Sequence, residues 1–293
     1  MDNKLNNMIN EFLANTDAKN EKELNQKLQE FIKKYNNGEI TYQNAPLDDA
    51  YELLEQAKTA KTKNRAIKLA KQAYETCTAC FDAIIFQVHL EENSLKREKL
   101  LKEGLEAEKN RLQKEKFFEK DNIGLFYGIF ETRPYIRGLY TKADYLICDG
   151  KMKQAIDVCK EILRLNENDN TGARYLLMAI YAYFEEEKEM LNLYKKYEEE
   201  DLEMLFPLFA LYYKLGNDTK AKDYLKRINK ANPDFIKFFK GTMKVNDKVP
   251  NGYYGRGDSS EVIMYFNQYA FLTDTIPNIE YFILENSKKK GEY

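Results

Sequence analysis

The sequence predicts an all-α chain, an α-solenoid of repeated helical hairpins with capping helices at both ends. Three observations carry this. Apolar residues recur at i, i+3, i+4 and i+7, the spacing of one helical stripe. Met152, Ala155, Ile156, Cys159, Ile162 and Leu163 are the clearest case. A second stretch repeats the first after 66 residues: Gly150, Ala155, Cys159 and Ile162 correspond to Gly216, Ala221, Leu225 and Ile228. Glycine also falls before each of these stripes, where a tight helix–helix turn needs a residue that tolerates φ > 0.

A displacement of 66 residues is close to two periods of about 34, the tetratricopeptide length. Ala143 and Ala155 are small enough to let two antiparallel helices approach closely. Pro233 follows the later hairpin, where proline ends one repeat before the next. Glu167 stands where the earlier copy would carry that proline, and Phe209 where the later copy would carry a small residue. The two copies resemble the tetratricopeptide family. Three further stretches are Glu131-Thr132-Arg133-Pro134-Tyr135-Ile136-Arg137, Asn168-Asp169-Asn170-Thr171-Gly172-Ala173-Arg174-Tyr175-Leu176-Leu177 and Tyr253-Tyr254-Gly255-Arg256-Gly257-Asp258. Together they resemble a group of uncharacterised bacterial tetratricopeptide proteins of similar length. More distantly they are similar to the repeat region of the suppressor-of-tumorigenicity protein family of animals. The resemblance spans most of residues 20–285 and implies an all-α repeat protein without enzymatic activity. It brings no assigned ligand.

In chain order, residues 1–46 read as an N-terminal helical cap. Leu5, Met8, Ile9, Phe12 and Leu13 form one stripe, and Leu24, Leu28, Phe31 and Ile32 the next. Residues 47–240 read as the repeat solenoid. Its first hairpin pairs Ala50, Leu53, Leu54 and Ala57 with Ala66, Leu69, Ala70, Ala73 and Tyr74 across a polar turn. Phe81, Ile84, Ile85 and Val88 open an expanded repeat that continues into a long charged helix over 95–118, with a break at 122–128. The clear hairpin over 136–165, a diverged copy near 170–200 and the hairpin ending at Ala231 follow. Residues 241–293 read as a glycine-rich loop and C-terminal capping helices. Asp258 and Glu261 fit the N-cap and N3 positions of a capping box, and a last helix is expected near 276–284.

Composition narrows the function classes. Lys plus Arg number 46 and Asp plus Glu 48, a net charge of −2. A dedicated nucleic-acid binder would show a basic excess. No apolar run is long enough to span a bilayer, and no charged and apolar leader opens the chain. Four scattered cysteines without disulfide spacing complete the expectation of a cytoplasmic protein. The 22 Tyr and 17 Phe serve helix packing, with a share left for an aromatic-lined groove.

Motifs for chemistry are sparse. Cys77-Thr78-Ala79-Cys80 has no second cysteine pair, and His89 is the only histidine, so a zinc set is not formed. A redox role needs a βαβ context that the pattern lacks. These cysteines read as small buried residues, and Cys148 and Cys159 as core. The run from Gly252 to Gly257 lacks the Lys-Ser/Thr ending of a phosphate loop. Arg256-Gly257-Asp258 has adhesive meaning only in extracellular proteins. The acidic runs 185–187 and 198–201 read as solvated turns. With no clustered nucleophile and base, the expectation is no enzyme, no metal and no cofactor.

The candidate site is a groove. Arg133, Arg137, Arg174 and Tyr175 start first helices of hairpins, beside Tyr140 and Asp144. The register of the resembled family turns Arg137, Tyr140 and Asp144 toward the concave face, joined by Tyr175 and Tyr183 from the next repeat. Arginines there would grip a carboxylate or phosphate through bidentate bonds. The equally weighted alternative pairs Arg133 and Arg174 with Glu131, Asp169 or the loop at Asp258. The expected function is a non-catalytic scaffold holding a protein or peptide with an acidic group on its concave face. The alternative is an assembly subunit that forms homo-oligomers through its helix surfaces.

Overall fold

The computed structural model describes residues 9, 12–13, 16–39, 45–245 and 254–287. Leu5 and Met8 of the first expected stripe, Tyr253 and the loop before it, and the end of the tail lie outside these residues. Among the described residues there are fourteen α-helices, every element longer than six residues is one of them, and neighbours in sequence pack in pairs. No described helix is long and apolar enough to cross a membrane. The chain divides into two compact units, Met1–Phe117 and Phe118–Tyr293.

In the first unit α1 (Glu21–Asn36) begins at Asn20, whose side chain accepts from the Glu23 N–H, and buries no residue. Helices α2 (Pro46–Lys58) and α3 (Lys63–Thr76) form a hairpin around Ala50, Leu54, Ala57, Leu69, Ala70 and Ala73. Alanines let the two backbones approach while leucines fill the remaining space. Helix α4 (Asp82–Leu90) packs on α3, and α5 (Ser94–Lys114) packs on α4. A Cβ on Gly104 would lie 2.7 Å from Ile84 Cγ2 and 2.9 Å from Phe81 Cε2, so glycine is what permits this approach. Helix α5 stops at Lys114 rather than near 118, because Lys116 turns left-handed at φ +65°.

The second unit opens with an irregular segment tied back onto the first hairpin. Phe126 N–H donates to the Leu165 carbonyl at 3.0 Å, and Glu167 N–H to that of Gly124 at 2.9 Å. Three hairpins follow: α6 (Arg133–Cys148) with α7 (Met152–Leu165), α8 (Ala173–Phe184) with α9 (Glu187–Tyr197), and α10 (Leu202–Lys214) with α11 (Asp218–Ala231). Their turns carry left-handed residues at Gly150 (φ +71°), Glu185 (φ +61°) and Gly216 (φ +67°). Ala143, Ala155 and Ala221 are fully buried. Helix α8 also packs against α7 and α10, which is why it is apolar on nearly every side.

The chain ends with α12 (Asp234–Phe239), α13 (Ser259–Asp274) and α14 (Ile279–Glu285). Helix α13 lies against α8 and α10, the first helices of the second and third hairpins. Its Tyr265 and Phe266 meet Phe206 of α10, which also contacts Phe209 and Phe235. Phe209, in place of the small residue the repeat pattern expects, packs its ring against Phe282 of α14.

Several expectations change. Cys148, expected in the core, is exposed. Leu146 and Ile147 complete the buried stripe of α6, and one further residue rotates away from it by about 100°. The last helix starts at Ile279, not near 276, after left-handed Asn278. Asp258 caps α13 by accepting from Ser260 N–H, but Glu261 accepts from the N–H of Gly257 at 2.7 Å, one residue before the cap. The run 198–201 is not simply solvated: Asp201 is buried and caps α10 through the Met204 N–H.

Candidate functional site

A cleft of about 320 Å³ opens where α6, α8, α10 and α13 meet beneath the loop at Tyr254 and Arg256. Three elements bring charge to it. Residues 169–172 form a tight loop before α8. Asp169 is left-handed (φ +46°), and its carboxylate accepts from Ala173 N–H at 2.9 Å and Arg174 N–H at 2.8 Å, closing the otherwise open amides of the helix start. Gly172 takes φ +78° beside the Tyr175 ring, a conformation that favours glycine. The second element is the acidic turn Glu199, Asp201 and Glu203 at the start of α10. The third is the 254–258 loop, pinned by Glu261. That carboxylate accepts from Gly257 N–H and, at 2.7 Å, from the Asn232 side chain, which also donates to the Asp258 carbonyl at 2.9 Å.

Arg174 is the hub. Its Nε donates to Glu199 Oε2 at 2.9 Å, Nη1 to the Asp169 carbonyl and Oδ2, each at 2.9 Å, and Nη2 to Tyr175 Oη at 2.6 Å and Glu199 Oε1 at 3.2 Å. All five donors are engaged, and the guanidinium also lies 4.0 Å from the Tyr175 ring centroid. The Tyr175 hydroxyl has one proton for two carboxylates, Glu199 Oε2 at 2.9 Å and Asp201 Oδ2 at 3.0 Å, and it accepts from Arg256 Nη2 at 3.1 Å. Arg256 extends outward, 60% exposed, with Asp201 Oδ2 at 3.4 Å.

Burial sets the electrostatics. It pushes the Asp169 and Asp201 carboxyls above the usual carboxylate range. Glu203, only 4% exposed, is pushed to about 7, first by burial and further by Asp201 and Glu261 nearby, against the lowering hydrogen bond from Tyr254. Tyr254 donates that bond to Glu203 Oε2 at 2.9 Å. Tyr140 is also shifted up by burial, and its hydroxyl accepts from Gln268 Nε2 at 2.9 Å. Around the cleft four carboxyl groups, those of Asp169, Glu199, Asp201 and Glu203, face two guanidiniums.

Of the residues expected at a groove, Tyr140, Arg174 and Tyr175 line this cleft. Arg133, Arg137, Asp144 and Tyr183 do not. Arg133 donates to the Tyr127 carbonyl at 2.8 Å and sits over the Tyr127 and Phe130 rings. Arg137 and Asp144 are half-buried on α6. Tyr183 packs on Phe184 and Phe271, holding α8 to α13. Sequence reasoning did not select Asp169, Asp201, Glu203, Tyr254, Met264, Gln268 or Tyr269 as ligand contacts. Two stretches that carried the resemblance, 168–177 and the described part of the third, 254–258, do converge here, so their mixture of glycine, tyrosine and charge was the available signal. Among the described residues no group of three or more His, Cys, Asp or Glu is placed to hold a metal ion. No protein-family model matches the chain, and no curated protein is significantly similar to it.

Proposed function

We propose that this chain is a non-catalytic binding protein of tetratricopeptide-like hairpins, and that its second unit captures a protein or peptide segment in the cleft between α6, α8, α10 and α13. On this reading α6–α7, α8–α9 and α10–α11 are successive repeats of a short α-solenoid. The 66-residue spacing of Gly150 and Gly216, both in left-handed turns, supports that register. The observation that carries the functional reading is the cleft itself. Helix α13 lies against the first helices of two hairpins, and the space left beside it is lined by Tyr140, Tyr175, Tyr254 and Tyr269. Tyrosines supply broad contact area at low entropic cost and dominate many interfaces. A reducing cytosol suits four cysteines without disulfide spacing.

Selection of a randomised peptide library on the full chain tests the reading. Recovered peptides should compete with one another. They should lose binding to Met264→Trp, which fills the cleft without altering its charges, and keep it with Lys71→Ala in the first unit. Peptides indifferent to Met264→Trp place recognition elsewhere and end the proposal.

A further inference from the structure

We propose that the cleft recognises a neutral carboxamide, the side chain of a glutamine or asparagine in the captured segment; this rests on the peptide-binding reading above. The recognising atoms lie on the α6 and α13 walls. Tyr269 is 1% exposed and lines the cleft, yet its hydroxyl makes no hydrogen bond among the described residues. A buried hydroxyl with no partner at all is costly, so this one is satisfied through the cleft, by water in the free protein and by a ligand in the bound one. Helix α13 leaves helical geometry at Tyr269 (φ −115°, ψ +22°), which bends the helix where it meets the cleft. Gln268 Nε2 donates to the Tyr140 hydroxyl oxygen at 2.9 Å, which leaves the Tyr140 proton and Gln268 Oε1 without partners among the described residues. With the amide turned the other way the leftover donor and acceptor exchange places, so the pair offers one of each in either orientation.

A carboxamide carries the complement on two adjoining atoms: a carbonyl oxygen for the hydroxyls and an N–H for the remaining acceptor. The charges of the lining are balanced and already used. Asp169 and Glu203 stand against Arg174 and Arg256. Every donor of Arg174 is bound to Asp169, Glu199 or Tyr175, Glu203 accepts from Tyr254, and Arg256 donates to Tyr175. A charged side chain would give up its hydration here without an interior counterion to replace it, whereas a neutral amide gives up less and meets open partners. Because Tyr269 is almost wholly enclosed, a side chain reaches it and a peptide backbone does not. A cleft of about 320 Å³ stands at the small end of ligand sites, room for one such side chain, with tyrosine rings and the Met264 thioether to pack its methylenes.

The test follows the Met264 methyl by NMR on the full chain labelled at methionine methyl groups. Short glycine–serine peptides with a central glutamine, asparagine, glutamate, lysine or norleucine are titrated, and propionamide separately. Glutamine or asparagine peptides should shift Met264 saturably, and the other three should bind roughly tenfold more weakly or not at all. Tyr269→Phe removes one oxygen that no protein group holds, so it should keep the thermal midpoint while weakening the carboxamide peptide by roughly tenfold. If Tyr269→Phe does not fold, Gln268→Leu at its half-buried position takes its place, with the same loss expected. Equal binding of the glutamine, glutamate, lysine and norleucine peptides, or an unchanged affinity in the folded variant, overturns the carboxamide assignment and leaves peptide binding standing. Saturation by propionamide as tight as by the glutamine peptide keeps the carboxamide assignment and overturns peptide binding. No saturable shift with any probe overturns the assignment, and the library selection then judges peptide binding alone.

Discussion

The two units bury charge in different ways. In Met1–Phe117 the core is mainly alanine and aliphatic side chains with Phe81 from neighbouring helices, and a buried ion pair, Glu108 with Arg111, lies within one helix at 2.8 Å. Residues three apart meet wherever the helix forms, so that pair needs little from the rest of the fold. In Phe118–Tyr293 the core is aromatic, and its buried charges come from separate elements: Asp169 and Arg174 around the start of α8, Glu199 and Asp201 before α10, Glu203 within it. Only the assembled unit satisfies them. A charge cluster drawn from distant segments fixes α8 against α10 and keeps a polar space open between them; a local pair does neither.

The sharpest test removes the hub. Arg174→Met leaves Asp169 and Glu199 without their cation and should cost about 3–5 kcal/mol. Arg111→Met in the first unit should cost clearly less, since its side chain is 17% exposed and Glu115 supplies a partner already near water. Urea unfolding of the two variants measures both, and equal losses would erase the contrast.

Next is acidity. The folded-state value of Glu203 is raised from 4.5 to about 7 by burial, with Asp201, Glu261, Arg174 and Tyr254 around it. The folded state therefore holds its proton more tightly than the unfolded chain. This stabilisation is complete below pH 4.5 and is lost as pH rises through about 7, a span worth about 3 kcal/mol. Asp169 and Asp201 are shifted the same way and add to the trend. Glu203→Gln should flatten the fall of Tm across that window; an unchanged slope assigns the titration to other groups.

Packing should be the feature the units share. Ala155→Leu and Ala221→Leu in the second unit, and Ala70→Leu in the first, each place a larger side chain at a fully buried helix crossing. Each should cost about 1–3 kcal/mol. Unchanged denaturation midpoints for Ala155→Leu and Ala221→Leu would show that the repeat register is misassigned. The smallest effect belongs to the second unit alone: the Tyr265 hydroxyl is buried without a hydrogen-bond partner. Tyr265→Phe should be neutral or stabilising by up to about 1 kcal/mol, and a clear loss in calorimetry would mean that the hydroxyl has a partner such as water.

The sequence by itself determined the helices and their pairing. Helical stripes, alanines at crossings and the glycines at 150 and 216 act over a few residues, so spacing alone located the hairpin over 136–165 with Ala155 buried in it, and the buried Ala221 in the hairpin of α10 and α11. It also brought Tyr140, Arg174 and Tyr175 forward. Tertiary structure decided what those residues do. Arg174 is saturated by Asp169, Glu199 and Tyr175, and Asp201 is buried where an acidic run suggested solvent. Helix α13, expected as an end cap, brings Gln268 to Tyr140 across 128 residues of sequence, and its loop brings Tyr254 to Glu203 across 51. The physical reason is range. Helix propensity and turn geometry are settled between near neighbours, whereas the protonation and pairing of a carboxyl depend on which distant helix covers it.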